Sequence, residues 1–139
     1  MKIIGGQYKG RNFYMPAGIR PTQNIARKAL FDLLGQNLEG ITLLDLFAGS
    51  GAVGIETISR RATKAVIVEK DPKCVDVISE NIGLLSIGPN EPGNLPYEVI
   101  QMDAFAAIKM FAHQGRKFDV VFMDPPYGQG LAKKALKTL

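Results

Sequence analysis

Two short stretches hold residue types that could do chemistry together. One is Asp124-Pro125-Pro126-Tyr127, which closes the apolar run F-D-V-V-F-M at 118–123. One proline is enough to stop a strand, so an acid, two prolines and a tyrosine suggest a further role. The exocyclic amine of a nucleic-acid base is a poor nucleophile, because its lone pair is delocalised into the ring. The Asp124 carboxylate and the Pro125 carbonyl could accept its N–H groups and favour a more tetrahedral nitrogen. Pro125 and Pro126 restrict the backbone and so stiffen the direction of that carbonyl. Tyr127 offers a flat face for the base, a contact worth about 1–3 kcal/mol in nucleic-acid sites. Such chemistry needs no metal and no strong general base.

The other stretch is Gly49-Ser50-Gly51-Ala52-Val53-Gly54, a G-x-G-x-x-G between an apolar run and a helical pattern. Glycines lack the Cβ that would hold a ligand off the chain, and the N–H groups at a helix start serve as donors. Glu69 follows twenty residues after Gly49, at the end of the next apolar run. A carboxylate there can accept from both ribose hydroxyls of an adenosine cofactor. These features suit NAD as well as S-adenosylmethionine. Asp45, two residues before the turn begins at Phe47, favours the latter: it suits a cationic amino-acid tail and would face a pyrophosphate unfavourably. Asp103 ends the third apolar run, where it either reaches the adenine amino group or caps the helix that starts at Ala104. Phe47 and Ala104 complete the expected cofactor-facing set. If a sulfonium methyl lies in line behind the target amine, holding the two in attack geometry could supply roughly 7–11 kcal/mol.

The elements that must position these residues alternate. The strands are T-L-L-D-L-F from Thr42, K-A-V-I-V-E from Lys64, Y-E-V-I-Q-M from Tyr97 and F-D-V-V-F-M from Phe118. Helices fall between them: one through Ser59, one from Pro72 to about Ile82, and A-F-A-A-I-K-M-F from Ala104. L-A-K-K-A-L-K-T-L starts a last helix. Near-continuous apolar strands separated by helices predict a parallel sheet covered on both faces. Right-handed winding gives the order 3-2-1-4 and a reversal between strands 1 and 4, where ligands of open α/β sheets bind. The glycine turn and Asp124–Tyr127 then share one crevice. Ahead of this core, K-I-I-G-G-Q-Y and R-N-F-Y-M predict a small hairpin or paired extended segments, Pro16 to Pro21 a linker, and Thr22 the cap of a helix through I-A-R-K-A-L-F-D-L-L, with Gly40 near its end. Ser86 to Pro96 reads as a surface loop.

The 139 residues suggest one domain, with 1–40 as a basic hairpin and helix and 41–139 as the cofactor-binding and catalytic core. Apolar content of 46% with 22% charged residues excludes a disordered chain. A single cysteine, Cys74, rules out an internal disulfide, and no signal segment or spanning run is visible, so a cytoplasmic setting is expected. Cys74 and His113 lack partner spacing for metal or nucleophile chemistry. Net charge is +4, yet up to Lys28 the chain carries Lys2, Lys9, Arg11, Arg20, Arg27 and Lys28 and no acid. That arm suits a nucleic-acid partner or a solvated face; Lys9, Arg11 and Arg20 are the expected RNA contacts.

D-P-P-Y with L-D-L-F-A-G-S-G resembles the amino-methyltransferases that use S-adenosylmethionine. M-K-I-I-G-G-Q-Y-K-G-R, I-R-P-T and A-R-K-A-L-F-D-L-L resemble, more narrowly, the bacterial 16S rRNA guanine-N2 methyltransferases. The resemblance runs from Met1 to about Tyr127. It implies a Rossmann-like class I methyltransferase fold, methyl transfer to the N2 amine of one guanine, and a 16S ribosomal RNA or small-subunit assembly intermediate as partner. It also implies cofactor binding by Asp45, Gly49, Gly51, Glu69 and Asp103 and catalysis by Asp124 through Tyr127. There are departures. Gln23, Asn24 and Ile25 follow I-R-P-T where the family carries Ser or Thr, Asp and Arg, and Arg61 stands where it has glycine. The family's fold continues with further strands beside strand 4, whereas this chain stops at Leu139. With those strands missing, strand 4 would be an open edge prone to self-association. Two rival readings remain at this level: an NAD-dependent oxidoreductase, and a truncated RNA-binding remnant without catalysis.

Overall fold

The structure, a computed structural model, describes residues 2–14, 21–85, 87 and 95–123, the side chains of 21–26 excepted. Four parallel strands, β1 (Thr42–Leu46), β2 (Lys64–Glu69), β3 (Tyr97–Gln101) and β4 (Val120–Met123), form one sheet in the order β3-β2-β1-β4. Four helices accompany them: α1 (Pro21–Leu34), α2 (Ala52–Ser59), α3 (Pro72–Leu84) and α4 (Ala104–Gln114). This is the expected Rossmann-like order. The register levels the strand ends, with Asp45 opposite both Ile67 and Phe122, Leu46 opposite Met123, and Glu69 opposite Gln101.

Strand alternation sorts the side chains into two layers. Ala65 and Ile67 face a cluster with Ile55 and Ile58 of α2 and Ile78 and Ile82 of α3. Leu44, Leu46, Val66 and Val68 face Ala104, Ala107 and Phe111 on the α4 side. A third cluster joins Phe31 of α1 to Leu43 and Val53. α2 is hemmed in all round: every residue from Val53 to Ser59 is buried. Gly54 explains how it lies so close to the sheet, since a Cβ there would stand 2.5 Å from Ile67 Cδ1.

The N-terminal segment is an arm rather than a ladder. Lys2 and Asn12 form one antiparallel bridge, with Ile3 N–H donating to Arg11 O at 3.0 Å and Gly10 N–H to Ile3 O at 2.9 Å. Ile3 and Phe13 insert into the α2–α3 cluster. Polar anchors do the rest. Glu56, fully buried, accepts from Ile4 N at 2.8 Å and Gly5 N at 2.9 Å. Ser59 Oγ accepts from Tyr8 N at 3.0 Å and donates to Gly5 O. Asn81, also fully buried, accepts from Tyr14 N at 2.7 Å and donates to Tyr14 O at 2.9 Å. Arg60 closes the network, donating to Glu56 at 2.9 Å and to Gly35 O at 2.7 Å over the ring of Phe31.

Several boundaries differ from the sequence expectation. α1 begins at Pro21, so Thr22 lies within its first turn instead of capping it; proline suits that first position because its absent N–H has no helical partner. It ends at Leu34, where Gly35 at φ 89° follows directly; Gly40, at φ 82°, turns the chain only later, just before β1. α3 runs on to Leu84, and α4 runs to Gln114, where Gly115 at φ 68° stops it. Arg61 has φ 69°, the left-handed seat where glycine was expected. Most of the expected linker (16–20), most of the expected loop at 86–96 and the whole of the helix expected from Leu131 lie outside the described residues. Among the described residues no helix is long and apolar enough to cross a membrane.

Candidate cofactor site at the carboxyl edge of the sheet

The loop leaving β1 turns sharply three times, with positive φ at Phe47 (56°), Gly49 (59°) and Gly51 (77°). Ala48 N–H still reaches Val68 O at 3.0 Å, so the loop starts as a continuation of the sheet. It then folds over the end of β2 into α2. Gly51 serves two needs: its left-handed backbone starts the helix, and a Cβ there would stand 2.8 Å from Ile78 of α3. A side chain at this position would push the loop away from α3.

Glu69 ties the loop down. One carboxylate oxygen accepts from Gly49 N at 2.9 Å and the other from Asp71 N at 2.8 Å. Its carbonyl accepts from Met102 N at 3.0 Å. The residue thus joins the loops after β1, β2 and β3. A carboxylate oxygen has two acceptor sites, so each Glu69 oxygen retains one for a further donor. Asp71 caps α3 by accepting from Lys73 N at 2.9 Å, with Pro72 at the first helical position.

Asp103 is the cap of α4. Its Oδ2 accepts from both Phe105 N and Ala106 N at 3.1 Å. Of the two roles open for it in the sequence, the structure contains the cap, and that bond pair uses a single oxygen. Ala104 is buried beneath it. Phe47 meets Phe105 edge to face with ring centroids 5.9 Å apart, which links the glycine turn to α4. Asp45 is buried in the middle strand, two residues before Phe47.

These expected cofactor residues therefore gather along one edge: Asp45, Phe47, Gly49 and Gly51 from β1 and its loop, Glu69 from β2, Asp103 and Ala104 after β3. Asp124, Pro125, Pro126 and Tyr127 lie outside the described residues, as does Arg20. β4 ends at Met123, opposite Leu46. Lys9 and Arg11 are exposed but do not join this edge. The arm that carries them is anchored at the far ends of α2 and α3; Arg11 Nη2 donates to Leu84 O at 3.3 Å. Leu84 is about 18 Å along α3 from Pro72, at about 1.5 Å per residue. Among the described residues no group of three His, Cys, Asp or Glu could hold a metal ion.

Cys74 sits on the first turn of α3. Burial first, then the charges of Glu69 and Asp71 and a hydrogen bond to Asp71, push its thiol up to about 11. It is a poor nucleophile at neutral pH. The functional role that sequence reasoning missed is the anchoring of the arm by Glu56, Ser59, Arg60 and Asn81. The available signal was an acid and a base four apart, Glu56 and Arg60, in a helix with apolar residues on every side.

The chain spans about two thirds of the length of the curated relatives it matches first. It is 33% identical over 141 residues to "Ribosomal RNA small subunit methyltransferase D" of Escherichia coli K12, covering 100% of this chain and 66% of that protein. The protein of the same name from Buchnera aphidicola is 36% identical over 139 residues, covering 99% and 68%. Among solved structures, a hypothetical protein of Thermus thermophilus superposes with a TM-score of 0.81 at 35% identity, covering 99% of this chain and 78% of that one. The family model described as "Conserved hypothetical protein 95" matches residues 1–139, and with this full-length match the chain belongs to that family.

Proposed function

We propose that this chain is the cofactor-binding and catalytic domain of an S-adenosylmethionine-dependent ribosomal RNA methyltransferase. The target is the exocyclic N2 amine of a guanine in the 16S RNA of the small subunit. The observation that carries this reading is the bond from Gly49 N–H to Glu69 at the carboxyl edge of the sheet. It sets a glycine turn and a carboxylate with unused acceptor sites side by side, as an adenosine requires. The names of the relatives support the ribosomal RNA substrate.

The donor set fits the cofactor. In this reading the Glu69 oxygens accept the ribose hydroxyls. Asp103 accepts the adenine amine through the oxygen not used for capping, beside Ala104. Asp45 faces the cationic tail. Gly49 and Gly51 keep the turn beneath the ligand free of side chains, and Phe47 walls it against α4. When bound, the cofactor supplies an electrophilic methyl carried on a sulfonium. Asp124 and the Pro125 carbonyl would hold the two N–H groups of the target amine, the two prolines would stiffen that carbonyl's direction, and Tyr127 would stack on the base. Transfer would break the S–CH3 bond and leave the cofactor as a neutral thioether, while N2 would lose one proton to solvent, so no strong base would be needed. A paired guanine must flip out to reach this place, at a cost of a few kcal/mol. Lys9, Arg11 and Arg20 neutralise RNA phosphates.

The test is incubation with methyl-labelled cofactor and unmethylated small-subunit particles, followed by digestion of the RNA to nucleosides. The expected product is labelled N2-methylguanosine. Asp124→Ala should abolish label transfer while cofactor binding persists. Label on another nucleoside would overturn the guanine assignment, and binding of NAD without S-adenosylhomocysteine would replace the methyltransferase reading with the oxidoreductase one. RNA binding without any transfer would favour a non-catalytic remnant.

A further inference from the structure

The tyrosine ring of the arm has no role in the site above. Tyr14 is 59% exposed, yet its own backbone is among the most firmly held in the arm. Its N–H and C=O are both hydrogen-bonded to the side chain of Asn81, at 2.7 and 2.9 Å, and Asn81 is wholly buried. Arg11 is fixed to the same turn of α3 through Leu84 O. Asn81 and Leu84 are three apart, hence neighbours on one helix face. The turn therefore holds the backbone that carries an exposed aromatic side chain and, one helical turn on, an exposed guanidinium. Residues 2–14 carry Lys2, Lys9 and Arg11 and no acid. The helix below carries Lys73 in its first turn and Asp76 and Glu80 further on, so near Asn81 the positive charge comes from the arm.

We infer that Tyr14 is a stacking platform for an unpaired RNA base, with Arg11 neutralising the adjoining phosphate. An aromatic face with a neighbouring cation is the combination that holds single-stranded nucleic acid without reading its sequence. Fixing the backbone in advance lowers the ordering cost of binding. The platform deepens the ribosomal RNA reading and rests on it. Asn81 lies about 14 Å along α3 from Pro72, at about 1.5 Å per residue. The platform is therefore set apart from the cofactor edge, and the contact acts on binding rather than on the chemical step.

The test uses the full chain, an unstructured RNA oligonucleotide and small-subunit particles. Tyr14→Ala should weaken oligonucleotide binding on the order of ten-fold, while Tyr14→Phe stays near wild type because the π face remains. Tyr14→Leu, which keeps apolar bulk without a π face, should fall with Tyr14→Ala. The dependence of affinity on salt should be unchanged in all three and shallower in Arg11→Ala, by about one counterion. In methyl transfer, Tyr14→Ala should raise KM at unchanged kcat. Tyr14→Ala binding as wild type does, or Tyr14→Leu matching Tyr14→Phe, would overturn the platform. Failure of the underlying reading is separate: wild type would then transfer no methyl to particles, whatever residue 14 does.

Discussion

Glu56 and Glu69 make the same kind of contact and serve opposite ends. Each carboxylate accepts two backbone N–H groups: Ile4 and Gly5 of the distant arm for Glu56, and Gly49 of the β1 loop with Asp71 of its own loop for Glu69. Glu56 is fully buried and also takes Arg60 Nε at 2.9 Å, with Arg27 Nη1 at 4.0 Å. Burial pushes the Arg27 guanidinium below its ordinary pKa; Glu56 acts against that shift and Arg60 adds to it. Glu69 is half-buried, and among the described residues it has no cation partner. The hydrogen bonds alone do not separate architecture from ligand binding. Burial and a paired cation commit Glu56 to holding the arm. Partial exposure leaves Glu69 acceptor capacity toward solvent at the sheet edge.

The comparison breaks most visibly at Glu56. Glu56→Ala leaves Arg60 and Arg27 buried without their counter-charge and orphans two arm N–H groups. Removing one partner of a buried pair costs about 3–5 kcal/mol, so urea denaturation should show a loss of that size, with the arm becoming protease-sensitive. A loss below about 1 kcal/mol would mean that the network contributes little. Asp103 tests the dual use of a strand-end acid at a smaller scale. Asp103→Ala should cost about 1 kcal/mol through the lost cap, and Asp103→Asn should restore most of that stability but not S-adenosylhomocysteine affinity. Recovery of both would confine Asp103 to capping. The smallest effect is a charge readout. With its thiol pushed up to about 11, Cys74 should react with iodoacetamide at pH 8 roughly a hundred-fold more slowly than an unfolded thiol. The Glu69 charge raises that value, so Glu69→Gln should lower it and speed alkylation, whereas Glu56→Gln should not.

Much of the core was legible because its strands are apolar runs bounded by turn residues. β2 falls on Lys64–Glu69 as expected, and the order β3-β2-β1-β4 follows from right-handed winding. The glycine turn was legible from its spacing between an apolar run and a helical pattern; the structure adds that a Cβ at Gly51 or Gly54 would strike Ile78 or Ile67. The arm's attachment was not. Hydrophobic periodicity treats Glu56, Ser59, Arg60 and Asn81 as solvated helix positions, and only the path of a segment some fifty residues away in sequence explains why they are buried. Asp103 was ambiguous because capping and ligand binding ask for the same carboxylate at the same strand end. Lys9 and Arg11 were legible as exposed cations, but their distance from the cofactor edge depends on helix length and arm path together.

Under the proposed function, the β1 and β2 loops, joined through Glu69, hold an S-adenosyl group. Calorimetric titration of S-adenosylhomocysteine into wild type and Glu69→Ala, with urea melts of both, tests it most directly. Wild type should bind one equivalent. Glu69→Ala should bind at least about ten-fold more weakly, as expected for lost hydrogen bonds to a charged acceptor, while remaining folded. Absence of binding by the folded wild type, or equal binding by the folded variant, would contradict the account.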